Sequence, residues 1–277
     1  MKIHVIETGL FKLDGGAMFG VVPKKIWNKL VPADENNLCT WSMRSLLVET
    51  GDRKILIDCG MGNKQDEKFM SHYEPHGIQL MDSLQQKGFS RSDITDVFLT
   101  HLHFDHCGGA VERDNNGALI PAFPNAKYWS NKAHWQWATE PNDREKASFL
   151  PENLQPLQHH GVLHFLEEGE PLAENFSTIW VKGHTEAMML PVLQHEEKTL
   201  VYMADLLPSY AHIPLPYIMG YDVRPLITLE EKTDFLRTAV EQNYYLVFEH
   251  DAVHECCNVQ ETPRGIRPKD FFQVEAL

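Results

Sequence analysis

Four metal-binding side chains follow one short apolar strand in this sequence. The strand reads Asp96-Val97-Phe98-Leu99, and the segment after it reads Thr100-His101-Leu102-His103-Phe104-Asp105-His106. Because residues two apart in an extended segment share a face, His101 and His103 can aim their imidazoles at one point. Asp105 and His106 lie past the turn and can aim at a second, neighbouring point. The pattern predicts a strand that opens into a metal site with two centres, since a polar loop with incidental histidines rarely shows this spacing.

Further ligands are needed because four side chains do not complete two metal sites. Three candidates each stand directly after an apolar run, where a strand is expected to open into a loop: His184, Asp205 and His250. Taken singly, each also fits a hydrogen-bonded loop histidine or a capping aspartate. Their shared position at strand ends favours a role as ligands.

Short apolar runs rich in β-branched residues predict the strands. These cover residues 3–7, 44–49, 54–58, 97–100, 126–129, 163–166, 178–182, 190–194, 200–203 and 246–249. Apolar residues at helical spacing predict helices over 77–87, 131–138 and 229–241. Strands interrupted by occasional helices, without strict alternation, indicate a layered α/β sandwich rather than a doubly wound sheet.

The organisation of the chain predicts one domain over residues 1–277, because no linker-like segment interrupts it. Glycine and proline residues mark two long loops, one over residues 14–37 and one over residues 206–228. Loops of this length in a compact domain usually bind a ligand or cover a site.

The charge balance argues against a nucleic-acid substrate and against an anionic membrane surface. The chain has 25 Lys and Arg against 39 Asp and Glu, a formal charge of −14, and no basic stripe. No apolar run reaches the length of a transmembrane helix, and Glu7 comes too early for a signal peptide, so a cytoplasmic location is expected. The five cysteines form no C-x-x-C pair, which favours free thiols over a thiolate metal site.

Together, these motifs resemble the metallo-β-lactamase superfamily, whose members share an αββα sandwich. The resemblance covers essentially the whole chain, from the strand that ends at Asp58 onwards. It implies one set of metal ligands: His101, His103 and His184 on the first metal, Asp105, His106 and His250 on the second, and Asp205 bridging both. It also implies that Asp58 supports the site without binding a metal.

The third motif departs from the family pattern. The family often reads G-H-T-x-G-H at this position, whereas this chain reads Gly183-His184-Thr185-Glu186-Ala187-Met188. The metal ligand is present, but the later glycine and histidine are not. The departure affects hydrogen bonds around the ligand rather than the ligand itself.

The donor set suits zinc, iron, manganese or cobalt. Di-iron redox members of the superfamily typically carry Glu where this chain has His103, so the resemblance favours two zinc ions and hydrolysis. Two divalent ions outweigh two carboxylates and a bridging hydroxide, and a net positive site stabilises an oxyanion. Such ions make bound water a nucleophile at neutral pH, and Asp105 can carry its proton to the leaving group.

Two loops indicate the substrate more narrowly. Asp205 separates the chain from members that hydrolyse β-lactams, which generally lack a bridging carboxylate. Residues 14–24, 204–212, 214–216 and 221–222 resemble the YtnP-like group of quorum-quenching lactonases, which open the ring of N-acyl-homoserine lactones. The resemblance implies a small acyl-lactone substrate that is attacked by the metal-bridging hydroxide. Tyr210 and His212 are candidates to donate a hydrogen bond to the lactone carbonyl, with packing of the loop as their alternative role.

An acyl chain requires an apolar trough beside the metals. Candidates to line it are Met18, Phe19, Val21, Trp27, Phe104, Ile213, Leu215 and Ile218. A phosphotriesterase, a phosphodiesterase or another ester hydrolase acting on a small organic substrate stays open, because the same site accepts a phosphoryl oxygen. The family resemblance and the apolar N-terminal loop also predict a homodimer.

Overall fold

The computed structural model describes residues 1–277 and contains fourteen β-strands and eight α-helices. The strands are β1 (Lys2–Asp14), β2 (Leu38–Thr50), β3 (Arg53–Ile57), β4 (Asp96–Phe98), β5 (Val111–Arg113), β6 (Leu119–Pro121), β7 (Lys127–Ser130), β8 (Leu163–Phe165), β9 (Phe176–Val181), β10 (Met188–His195), β11 (Lys198–Tyr202), β12 (Tyr245–Val247), β13 (Cys256–Gln260) and β14 (Arg267–Phe272). The helices are α1 (Gly15–Phe19), α2 (Lys24–Trp27), α3 (Glu67–Ser71), α4 (Leu80–Gln86), α5 (Phe104–Cys107), α6 (Lys132–Thr139), α7 (Pro151–His159) and α8 (Pro225–Glu241). None of these helices has the length and apolar character needed to span a bilayer.

Two six-stranded sheets dominate the structure. The first has the order β1-β2-β3-β4-β7-β8, with antiparallel pairing from β1 to β3 and parallel pairing from β3 to β8. The second has the order β14-β13-β12-β11-β10-β9, in which only β11 and β12 run parallel. Strands β5 and β6 form a separate hairpin.

Side chains of the first sheet alternate between two cores. Leu46 and Ile55 belong to a cluster of 34 buried residues that also contains the second sheet, whereas Leu47 and Leu56 belong to a cluster of 22 that contains helix residues such as Trp135. This alternation follows from the two-residue repeat of a strand. Each fully buried aliphatic side chain contributes about 1.5–3 kcal/mol, so both faces of the sheet are held by apolar burial.

Helices cover the outer face of each sheet. Helices α4, α6 and α7 pack on the first sheet through residues such as Leu84 and Leu154, and α8 packs on the second through Phe235 and Leu236. The order helix, sheet, sheet, helix confirms the predicted αββα sandwich. Both sheets place the ends of their central strands at one edge, where the predicted ligands lie.

Strand β2 connects this edge to the end of β12. The Ser42 N–H donates to the His250 carbonyl at 3.3 Å, and the Arg44 N–H donates to the Glu249 carbonyl at 3.0 Å. The Ser42 hydroxyl also donates to the Glu249 carbonyl at 2.6 Å. The segment after β12 is therefore fixed by main-chain contacts from the other sheet.

Each predicted strand overlaps an observed one, but several elements were not predicted. Strands β13 and β14 carry many polar residues, and α7 contains Pro156, so neither pattern reads clearly. Residues 14–37 are not a plain loop, because the Asp14 carboxylate accepts the Ala17 N–H at 2.8 Å and caps α1. Helix α8 begins at Pro225 rather than 229, since proline fits the first turn of a helix.

Lys232 organises the predicted loop over residues 206–228. Its side chain is fully buried on α8, and its ammonium donates to the carbonyls of His212 at 2.7 Å and Tyr217 at 2.8 Å. The Pro214 carbonyl lies 3.3 Å away. These contacts satisfy carbonyl groups that no secondary structure pairs.

Replacing Lys232 by methionine should destabilise the protein by about 3 kcal/mol, because buried carbonyl groups would lose their donor. Urea unfolding of Lys232→Met measures the loss. Arg237→Met is the matched control, since Arg237 lies on the same helix with an exposed side chain. Equal stability of the two variants would contradict the role assigned to Lys232.

Candidate metal centre

The structure brings the seven predicted ligands together at the shared edge of the two sheets. They form two groups, His101, His103, His184 and Asp205 in one and Asp105, His106 and His250 in the other, and all are buried. His101 and His103 follow β4, and Asp105 and His106 lie on the short helix α5. The other three follow β9, β11 and β12.

The donor atoms of the first group converge on one point. Nδ1 of His103 lies 3.1 Å from Nε2 of His101 and 3.2 Å from Nε2 of His184. Oδ2 of Asp205 lies 3.1 Å from Nε2 of His184 and 3.9 Å from Nε2 of His101. With zinc–nitrogen bonds of about 2.0–2.1 Å, the corners of a tetrahedron lie roughly 3.3 Å apart. These spacings fit four donors around one ion.

The second group has a similar spacing. Nε2 of His106 lies 3.2 Å from Nε2 of His250, and Oδ2 of Asp105 lies 3.7 Å from both nitrogens. Oδ1 of Asp205 lies 3.1 Å from Nε2 of His250 and 3.6 Å from Nε2 of His106. Asp205 therefore turns one oxygen towards each group, as a bridging carboxylate would.

Acceptors behind the imidazoles determine which nitrogen faces the centre. Nδ1 of His184 lies 2.9 Å from the Asp222 carboxylate, and Nδ1 of His250 lies 2.7 Å from the Ser42 carbonyl. Because these nitrogens donate, Nε2 of each ring presents a lone pair to the centre.

His106 and His101 follow the same rule. Nδ1 of His106 lies 2.9 Å from Glu249 and 3.2 Å from Asp58. Nδ1 of His101 lies 3.1 Å from the Thr100 hydroxyl, which itself donates to Asp58 at 2.6 Å and so accepts from the ring. Asp58 thus orients ligands without facing the centre, which matches its expected supporting role.

His103 is turned the other way. Its Nδ1 faces the first group, and its Nε2 lies 3.6 Å from the Glu145 carboxylate. Glu145 is fixed by the hydroxyl of Thr185 at 2.7 Å and the indole N–H of Trp137 at 2.7 Å. The pKa of Glu145 is lowered to about 2, because its hydrogen-bond donors and His103 outweigh burial.

These groups fit divalent cations. Several ring nitrogens, each able to offer a lone pair to a metal, face one another at 3.1–3.2 Å, which is the spacing of donors around a single cation. Oδ1 of Asp205 is buried and has no hydrogen-bond partner. Nitrogen and carboxylate donors in tetrahedral array suit zinc, and also suit iron, manganese or cobalt.

The electrostatics favour positive charge at the same place. Burial opposes charging of His184, yet Asp205 and Asp222 raise its pKa to about 10. Burial likewise opposes charging of His250, yet Asp205 and Glu249 raise its pKa to about 9. The carboxylates therefore create a field that binds cations.

A cavity of about 230 Å³ opens onto both groups. Its wall contains the expected Met18 and Phe104, and it also contains Leu13, Tyr73, Arg144, Ser148, Met219, Gly220 and Tyr221. The other apolar candidates do not line it: Phe19, Trp27 and Ile213 are buried elsewhere, Val21 and Leu215 are exposed, and Ile218 is half-buried. Of the eight apolar residues predicted to line a trough, only Met18 and Phe104 therefore lie in the wall of this cavity.

The structure does not bring Tyr210 or His212 to this cavity. His212 stacks on Phe19 at 4.8 Å, and its ring nitrogens contact the Ser209 hydroxyl at 2.8 Å and the Met18 carbonyl at 2.9 Å. The Tyr210 hydroxyl points away and donates to the Leu30 carbonyl at 3.3 Å. Their expected role as donors to substrate is corrected to packing of the loop, since their polar atoms are already used.

Sequence reasoning missed the residues behind the ligands. Three of these residues are Asp222, Glu145 and Glu249, which meet their histidines only through tertiary contacts. The sequence around Glu249 offered a hint, since this residue directly precedes His250 at the end of a strand.

The family model described as "Metallo-beta-lactamase superfamily" matches residues 44–250, which include every predicted ligand. The chain belongs to this superfamily. A probable metal-dependent hydrolase of Staphylococcus aureus has a similar structure, with a TM-score of 0.89 and 27% identity over 100% of this chain and 98% of that one. AidC, described as a dizinc quorum-quenching lactonase in complex with the product N-hexanoyl-L-homoserine, has a TM-score of 0.81 and 23% identity. The match covers 98% of this chain and 95% of that one.

Two sequence relatives match a part of the chain. A ribonuclease of Thermus thermophilus is 28% identical over 181 residues, which are 64% of this chain and 38% of that protein. The chain thus spans well under half the length of this relative. An N-acyl homoserine lactonase of Bacillus cereus is 22% identical over 214 residues, which are 73% of this chain and 74% of that protein.

Asp222→Asn should weaken binding of the first metal ion by roughly 10–100-fold, because the carboxylate that orients His184 and increases its basicity is lost. Competition with a chromophoric zinc chelator measures the change. Asp234→Asn is the control, since Asp234 is exposed on α8. An unchanged affinity in Asp222→Asn would show that Asp222 does not support the site.

Proposed function

We propose that the protein is a dinuclear metal-dependent hydrolase, with two zinc ions, that opens the lactone ring of N-acyl-homoserine lactones. The observation that carries the proposal is the position of Asp205. Its two oxygens turn towards two separate groups of donors, and the same carboxylate lines the cavity. The likeness to AidC and to the Bacillus cereus lactonase supports the choice of substrate.

The cavity suits a small amphipathic substrate. Leu13, Met18, Phe104 and Met219 supply apolar surface, and the metal ligands supply the polar end. Such a combination of an apolar wall with a few convergent polar groups is typical of small-molecule sites. An acyl chain would pack on the apolar side while the lactone faces the donor groups.

When bound, two divalent ions polarise a carbonyl oxygen and acidify a water molecule. The chain supplies the rest of the chemistry. Asp205 and the five imidazoles fix the geometry, and Asp105 accepts the proton that water loses. The water oxygen bonds to the carbonyl carbon, the ring C–O bond breaks, and Asp105 returns the proton to the leaving oxygen, which yields a hydroxy acid.

Phosphoester hydrolysis is the second candidate, because a relative of 28% identity is a ribonuclease. A cavity of about 230 Å³ in a chain of formal charge −14 favours a small organic phosphoester over RNA.

Formation of a homodimer stays a prediction, and we expect the contact at the exposed Val21 and Ile26 of the N-terminal segment.

The two functions separate in a paired assay on the zinc-loaded protein. We expect the wild-type protein to release protons from N-hexanoyl-homoserine lactone. In Asp205→Asn, kcat/KM should fall by about 100-fold or more, because the carboxylate that faces both groups is lost and the metal ligands no longer align with the substrate. Asp234→Asn should retain full activity. Rapid cleavage of an aryl phosphodiester with no opening of lactones would overturn the lactonase proposal.

A further inference from the structure

His134 on α6 connects two loops of the candidate metal centre. Its side chain is fully buried, its Nε2 accepts the Leu102 N–H at 2.8 Å, and its Nδ1 contacts the Glu186 carbonyl at 2.5 Å. Leu102 lies between the ligands His101 and His103, and Glu186 lies two residues after a third ligand. Because one ring nitrogen accepts and the other donates, the imidazole is neutral, and burial lowers its pKa to about 3.

Asn131 makes a second connection from the start of the same helix. Its Oδ1 accepts the His134 N–H at 2.8 Å and caps α6, while its Nδ2 donates to the Ala187 carbonyl at 2.8 Å. The side chain is fully buried. Asn131 therefore caps the start of the helix and also holds the turn after His184.

Glu145 makes a third connection beyond the end of α6. One oxygen accepts from the Thr185 hydroxyl at 2.7 Å and lies 3.6 Å from Nε2 of His103. We name residues 131–145 the α6 brace. His134 and Glu145 each contact both the loop of residues 101–103 and the turn of residues 185–187. Asn131 contacts the same turn and the first turn of α6.

The turn that the brace holds is strained. Ala187 has a φ of 50°, in the left-handed region that disfavours residues with a Cβ atom. The carbonyl of Ala187 and that of the preceding residue, Glu186, both accept hydrogen bonds from the brace. Strained backbone persists where surrounding contacts over-determine it.

We propose that His134 and Asn131 are positioning residues that set the spacing of the first metal's ligands. They do so by fixing the turn after His184 against the main chain between His101 and His103. The inference rests on the proposed metal centre but not on the lactone substrate. Neither residue is a predicted ligand, and neither lines the cavity.

The test uses His134→Leu, which removes both hydrogen bonds, and His134→Gln, which retains one acceptor and one donor. Leu157→Ala is the control, because Leu157 is a buried residue of the same outer core that is neither a predicted ligand nor part of the cavity wall. We expect His134→Leu to bind the first zinc ion at least about 10-fold more weakly while the second ion is bound as before. His134→Gln should recover most of the affinity, and Leu157→Ala should lose stability without losing zinc.

Two further measurements separate positioning from general destabilisation. The visible spectrum of the cobalt-substituted protein should change in His134→Leu, because it reports ligand geometry at the metal. In the metal-free protein, the Leu102 amide should exchange with solvent faster in His134→Leu than in Leu157→Ala. Asn131→Asp keeps the oxygen that caps the helix and replaces the donor to the Ala187 carbonyl by an oxygen that repels it. This variant should therefore weaken binding of the same ion even if His134→Leu does not fold.

The proposal is overturned if His134→Leu and Asn131→Asp bind both ions with wild-type affinity, or if Leu157→Ala loses the first ion equally. The lactonase proposal fails separately, if the wild-type protein binds two ions but opens no lactone.

Discussion

Five buried imidazoles turn one ring nitrogen each towards two points, and one carboxylate, that of Asp205, lies between those points. The rest of the structure depends on this convergence, because it crowds nitrogen and carboxylate donors at a place that favours positive charge. Four of the rings are backed by a carboxylate or carbonyl from elsewhere in the fold, and the fifth, His101, is backed by the hydroxyl of the neighbouring Thr100. Strand ends bring the ligands close, and the residues behind them determine which nitrogen points inwards.

The charge around the centre leads to the same conclusion. Five buried carboxylates lie at the centre, either as predicted ligands or in contact with a ligand histidine: Asp58, Asp105, Glu145, Asp205 and Glu249. Their ion-pair partners are histidines rather than lysines or arginines. Buried carboxylates require compensating positive charge, and the raised pKa values of His184 and His250 show that this site favours it. Divalent ions at the two proposed positions would supply that charge and take the place of the protons on the ring nitrogens that face the centre.

The sequence predicted the strands and the ligand positions because both depend on local patterns. Short apolar runs identify β3 and β11, and spacing identifies His101 to His106. Most residues behind the ligands depend on contacts between distant segments, so Glu145 carries no sequence signal, and the resemblance around Asp222 did not indicate its contact with His184. The same reason explains the error at His212: its loop was placed correctly, but the direction of its ring is decided by Phe19 and Ser209.

Ser42 shows how far the centre extends beyond its ligands. It contacts the segment around His250 through its N–H, its hydroxyl and its carbonyl, across 208 residues of sequence. A chain whose second sheet has not docked on β2 lacks the contacts that hold His250, so the second ion of the proposed centre would bind only after the two sheets have come together. A strand that supplies no predicted ligand would thus govern whether that ion is retained.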